Sequence, residues 1–184
     1  MQFLLILAPI VAVLVFQSRE ELRRADLLLH LHRANTLAAE ARDRFSLFDS
    51  LVSSMEPGMT PGEASVGTLK ASRDKLRDLA RHTGNTALAG TVRTMTEAIH
   101  AMENSPGPQT MLDLQREFDA IRLAVNQARI EYGDKLDDAV KESAEHAYYE
   151  TRLAIGATVL ALGIALLFIR SEEHTSELQS RFGI

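Results

Sequence analysis

The side chains with most chemical reach in this sequence are arginines. Arg42, Arg44, Arg73, Arg77, Arg116 and Arg122 all fall in stretches with helical spacing, and planar guanidinium forks suit carboxylate or phosphate groups. The ligand-binding candidates among them are Arg73, Arg77, Arg42 and Arg116, with a small anionic ligand in view. Arg73 is the least routine, because it takes an apolar place in the inward seam of its helix. For each one taken singly, ordinary helix-surface charge is the competing reading.

Other chemistry is thinner. No two of the six histidines stand four residues apart, the spacing that puts two metal ligands on one helix face. His30 and His32 are two apart and point in nearly opposite directions on a helix, so they read as solvated or interfacial side chains. Asp134, Asp137, Asp138, Glu142 and Glu145 are dense, but a helix spreads them around its surface. With Lys135 and Lys141 interleaved they read as a salt-bridged face. The chain has no cysteine, which removes thiolate nucleophiles, disulfides and Cys-based zinc sites. Gly-rich nucleotide motifs and GxSxG are missing too. We therefore expect no catalytic residue, no metal and no cofactor. A net charge of −5 also argues against a nucleic-acid surface.

The elements that would position the arginines are helices. Leu27, Leu31, Ala34, Ala38, Ala41, Phe45, Phe48, Val52 and Met55 alternate in steps of four and three, a heptad seam. Glu56-Pro57-Gly58 stops that helix, and Thr60-Pro61-Gly62-Glu63 predicts the next: Thr60 as N-cap, Pro61 in the first turn, Glu63 closing a capping box. Val66, Leu69, Leu76, Leu79 and Ala80 face inward on the second helix, and Thr83-Gly84-Asn85 turns the chain. Leu88, Val92, Met95, Ile99 and Met102 mark a third helix, ended by Asn104-Ser105-Pro106-Gly107-Pro108. Met111, Leu114, Phe118, Ile121, Val125, Ala128 and Tyr132 mark a fourth, expected to run unbroken from Pro108 through Ile169.

The charge distribution supplies the anchors. Residues 2–17 and 153–169 contain no ionisable side chain. The second run covers roughly 25 Å as a helix, the short end of a membrane span, with Tyr148, Tyr149 and Arg152 at its edge. Gly156 and Gly163 share a face of it. The first run lacks a basic leader and a small-residue cleavage site, so it reads as an uncleaved helix rather than a signal peptide. The expected fold is all-α: a membrane-anchored antiparallel four-helix bundle whose two long helices continue into two transmembrane helices. The domains are transmembrane helix 1 (1–17), a helical sensor domain (18–152), transmembrane helix 2 (153–169) and a foreign tail (170–184). That tail, Arg170-Ser171-Glu172-Glu173-His174-Thr175-Ser176-Glu177-Leu178-Gln179-Ser180, resembles the in-frame translation of a short-read sequencing adapter.

An apolar segment, a helical domain of about 135 residues and a second apolar segment together resemble the N-terminal sensory half of a bacterial transmembrane receptor. Chemotaxis receptors, sensor histidine kinases and receptor-type diguanylate cyclases with four-helix-bundle sensors share that layout. The resemblance implies a truncated signal-transduction protein of the inner membrane with a periplasmic bundle. A ligand or periplasmic partner protein would shift helix four against helix one, and the shift would pass through transmembrane helix 2 to a cytoplasmic output module. A parallel homodimer is expected, because the long helices outrun the short pair and need cover. The alternative is a membrane-anchored coiled-coil scaffold of the cell envelope. A third arrangement, with the bundle in the cytoplasm, is suggested by Arg19, Arg23 and Arg24 after the first run.

Overall fold

The computed structural model of the chain describes residues 2–55, 59 and 61–182; of residues 2–17, 161, 164–165, 167–169 and 171–182 it describes the backbone only. All five elements are helical: α1 (Gln2–Ser53), α2 (Glu63–Thr83), α3 (Thr86–Asn104), the short α4 (Pro108–Asp113) and α5 (Gln115–Phe182). No strand occurs among the described residues. The chain divides into two compact units, Met1–Ala139 and Val140–Ile184.

In the first unit the heptad seams meet. Ala34, Ala38 and Ala41 are fully buried and Phe45 and Phe48 nearly so. They share one core with Leu69, Leu76 and Leu79 from α2, Met95 and Ile99 from α3, and Ile121 and Val125 from α5. Cross-helix bonds give the directions. Ser72 Oγ donates to the Ala41 carbonyl at 2.7 Å, and His82 Nε2 lies 3.0 Å from the His30 carbonyl. Rising numbers on α1 thus meet falling numbers on α2. The same reversal relates α1 to α5, where Asn35 meets Arg129 and Asp49 meets Arg122. The three buried alanines leave room for neighbouring backbones to approach α1 closely.

Caps explain the turns. Gly84 ends α2 with φ 66°, a left-handed conformation that only glycine adopts without strain. Asn85 then caps α3, its Oδ1 accepting from the Ala87 and Leu88 amides at 3.0 and 3.2 Å. Lys70 and Glu103 tie α2 to α3 at 2.6 Å, and Lys75 and Glu40 tie α2 to α1 at 2.6 Å. The Lys70 hydrogen bond holds the Glu103 carboxyl below the usual carboxylate range. Its stabilisation is therefore present above that range and is lost as pH falls through the depressed value. Such exposed pairs contribute little beyond register.

Four expectations need correction. The capping box before α2 is not formed: α2 starts at Glu63, its N-cap is Gly62 in extended geometry without a side-chain bond, and Thr60 lies outside the described residues. Pro61 precedes the helix instead of opening it. The inward place given to Arg73 belongs to its neighbour Ser72, which satisfies its hydroxyl on α1 and so tolerates full burial. The fourth helix is not continuous from Pro108, because Leu114, with ψ near zero, separates α4 from α5. Its amide still bonds Thr110 and its carbonyl still accepts from Phe118, so the chain is perturbed over one residue. Finally, Leu27 is half exposed, because α2 ends alongside His30 and leaves the earlier part of α1 without that neighbour.

The second unit is helical throughout its described residues. The side chains of Leu153, Ile155, Val159, Leu160, Leu162 and Leu166 are all exposed there. No helix among the described residues is long and apolar enough to cross a membrane. The side chains of the 1–17 run, and several in the 153–169 run, lie outside the described residues. Those of the adapter-like tail after Arg170 do as well.

Candidate functional site

Beside the buried seam of α1 runs a polar row. Asn35, Arg42 and Asp49 each follow a buried residue (Ala34, Ala41, Phe48) and recur every seven positions, so they share one flank of the helix. The flank faces α5, which answers with Arg129, Asn126 and Arg122. Arg129 Nη1 donates to Asn35 Oδ1 at 2.8 Å, Arg42 Nε donates to Asn126 Oδ1 at 3.2 Å, and Arg122 Nη2 donates to Asp49 Oδ1 at 2.6 Å. The result is a three-rung ladder closing the α1–α5 seam.

The rungs differ electrostatically. Arg122 is held by two carboxylates, Asp49 and, at 2.7 Å, Asp119, and the Asp49 hydrogen bond keeps its guanidinium above the usual value. Arg42 and Arg129 are oriented by neutral amide oxygens, and among the described residues neither is ion-paired. Both line a groove of about 570 Å³ together with Asn126, Ile130, Gly133, Asp134 and Asp137. That volume is of the order that holds a small ligand.

Gly133 explains how Arg129 reaches across. A Cβ at this position would stand 2.8 Å from Arg129 Nη1, so the guanidinium occupies the space a side chain would fill. Glycine inside a helix costs roughly 1 kcal/mol against alanine. The residue is thus traded for the placement of one arginine.

Of the sequence candidates, Arg42 alone lies in this groove. Arg73 and Arg77 sit on α2 and both bond Asp74 Oδ1 of their own helix, Arg73 at 2.8 Å and Arg77 at 3.3 Å. Arg77 also lines a separate groove of about 460 Å³ beside the α2–α3 turn. Arg116 is an exposed residue of α5 that lines none of these grooves. Arg129, Asn35, Asn126 and Gly133 were missed. Their signal was present: a seven-residue recurrence next to the core seam and a lone glycine in a strongly helical stretch.

The remaining features have structural partners. His30 stacks on His82 with ring centroids 4.0 Å apart, an interhelical pair in which His30 is exposed, as the interfacial reading expects. Lys135 bonds Glu131 at 2.5 Å within the acidic stretch. Among the described residues no group of three or more His, Asp or Glu converges to hold a metal. A further cleft of about 490 Å³, at the end of the bundle, is lined by Met55, Met59, Met111 and Leu112 beside Arg122. Its cation is already balanced by Asp49 and Asp119. No protein-family model, curated protein or solved structure matches this chain.

Proposed function

We propose that the chain is the sensory portion of a bacterial transmembrane receptor. In this reading residues 1–17 and 153–169 are membrane helices, the bundle is periplasmic, and ligand or partner binding is relayed along α5 to a cytoplasmic output module. The observation that carries this reading is a coincidence of elements. The helices that build the polar groove, α1 and α5, are the same two that contain the uncharged apolar runs. A ligand bridging them would change the free energy of their relative position, which is what a two-state relay requires.

Exposure in the second unit supports the anchor. Six large apolar side chains between Leu153 and Leu166 are left uncovered, more than a water-facing helix tolerates and what a lipid-facing one needs. Leu22 and Leu29 on α1, and Leu123 and Ile130 on α5, are exposed at seven-residue spacing, surface that a parallel homodimer would cover.

Alkaline phosphatase inserted at Met59, between α1 and α2, tests the placement. A periplasmic bundle gives high phosphatase activity. Silence, together with activity of a cytoplasmic reporter at the same site, places the bundle on the other side and overturns the reading.

A further inference from the structure

The groove beside Arg42 and Arg129 contains a charge pattern that pairing within the chain does not explain. Two guanidiniums, each bonded to an amide oxygen, and two carboxylates, Asp134 and Asp137, line it. Among the described residues neither carboxylate is ion-paired, whereas Lys70, Lys75, Arg122 and Lys135 all are. The walls are otherwise short or apolar, Gly133 and Ile130.

We infer that this groove binds a small zwitterion, its carboxylate on Arg42 and Arg129 and its protonated amine on Asp134 and Asp137. The inference rests on the sensory reading above and names the ligand chemistry for it. A simple dianion would meet Arg42 and Arg129 favourably and then place its second charge against Asp134 and Asp137. A dication would suffer the reverse. A molecule carrying both charges, separated by a few bonds, satisfies both pairs without leaving either unpaired. Guanidinium forks give charge-assisted, directional bonds to a carboxylate, and the N–H donors on Arg42 and Arg129 that the amides do not use are enough for one. Gly133 belongs to the device because it leaves space for the Arg129 guanidinium where that group bonds Asn35.

The test is titration calorimetry of the full chain in lipid nanodiscs at neutral pH and low salt. The three probes are 4-aminobutyrate, glutarate and 1,5-diaminopentane, similar in length and different in charge. The expected result is binding of 4-aminobutyrate, with the other two at least about tenfold weaker. Arg129→Gln and Arg42→Gln should each weaken it roughly 10- to 100-fold, the range for losing a charged hydrogen-bond partner. Asp134→Asn with Asp137→Asn should shift the preference to glutarate. Gly133→Ala should keep or raise the thermal midpoint, by helix propensity, while weakening 4-aminobutyrate about as much as Arg129→Gln does. No heat from any probe, equal binding of all three, a preference for glutarate in the unaltered chain, or wild-type affinity in Gly133→Ala each overturns the inference. None of these outcomes bears on the phosphatase result, so failure of the ligand and failure of the receptor reading are told apart.

Discussion

Phe48→Ala should lower the thermal midpoint of the bundle by roughly 6–20 °C. The ring of Phe48 is 1% exposed and joins two helices: it lies 5.8 Å from Phe45 on its own helix and edge-on, at 5.1 Å, to Phe118 of α5. Truncation removes the buried area and both aromatic contacts and leaves a cavity among Leu, Met and Ile side chains of the same core. Changes of this type cost about 3–5 kcal/mol, a large part of the 5–15 kcal/mol that typically holds a domain together. At roughly 2–4 °C per kcal/mol for a unit of this size, the drop follows. Leu112→Ala is the control, because Leu112 is 64% exposed and should move the midpoint by no more than about 2 °C. Circular dichroism melts of the two variants check this. Equal small shifts would mean that the α1–α5 seam is not the core it is described as.

In a chain that begins at Ser18, and so lacks the first apolar run, Leu162→Arg should remove the protein from the membrane fraction. Leu162 stands near the middle of residues 153–169, seventeen positions without a charge, and its side chain is exposed. An arginine at the centre of a spanning helix costs about 2.5–3.5 kcal/mol on insertion scales, so the inserted fraction falls roughly a hundredfold. Thr151→Arg, outside the run and next to Arg152, should have little effect. Carbonate extraction followed by blotting reads both. If Leu162→Arg stays in the pellet as firmly as the unaltered chain, the 153–169 run is not a span.

The parts of this molecule that could be read from the sequence are those encoded within one helix. The alternation of fours and threes from Ala34 to Phe48 gave the buried stripe, and Gly84 and the Ser105-Pro106-Gly107 break gave the turns, because each depends on local backbone chemistry. What escaped was encoded between helices. Arg73 and Ser72 are adjacent, and which of them faces inward depends on how far α2 is rotated against α1, a choice settled by the bond from Ser72 to Ala41. Asn35 and Arg129 are ninety-four positions apart, and the register that joins them is set by the packed core, not by spacing on either helix. His30 and His82 meet for the same reason. The start of α2 escaped as well: Gly62, in extended form, is its N-cap, and Thr60 lies outside the described residues. Arg42 lines the α1–α5 groove, whereas Arg73 and Arg77 are balanced by Asp74.

The account stands on α5 acting as a mechanical link between the groove and whatever follows the membrane. The most direct test is phase-dependent output. Residues 1–169 are joined to a cytoplasmic histidine-kinase module, and one to four alanines are inserted after Ile169. Each inserted residue turns the module by about 100° relative to the bundle. A relay predicts kinase activity that rises and falls with helical phase and returns near its starting value at four residues. Activity that is flat, or that falls steadily with insert length, would contradict the relay and leave a membrane-anchored scaffold as the better description of the bundle.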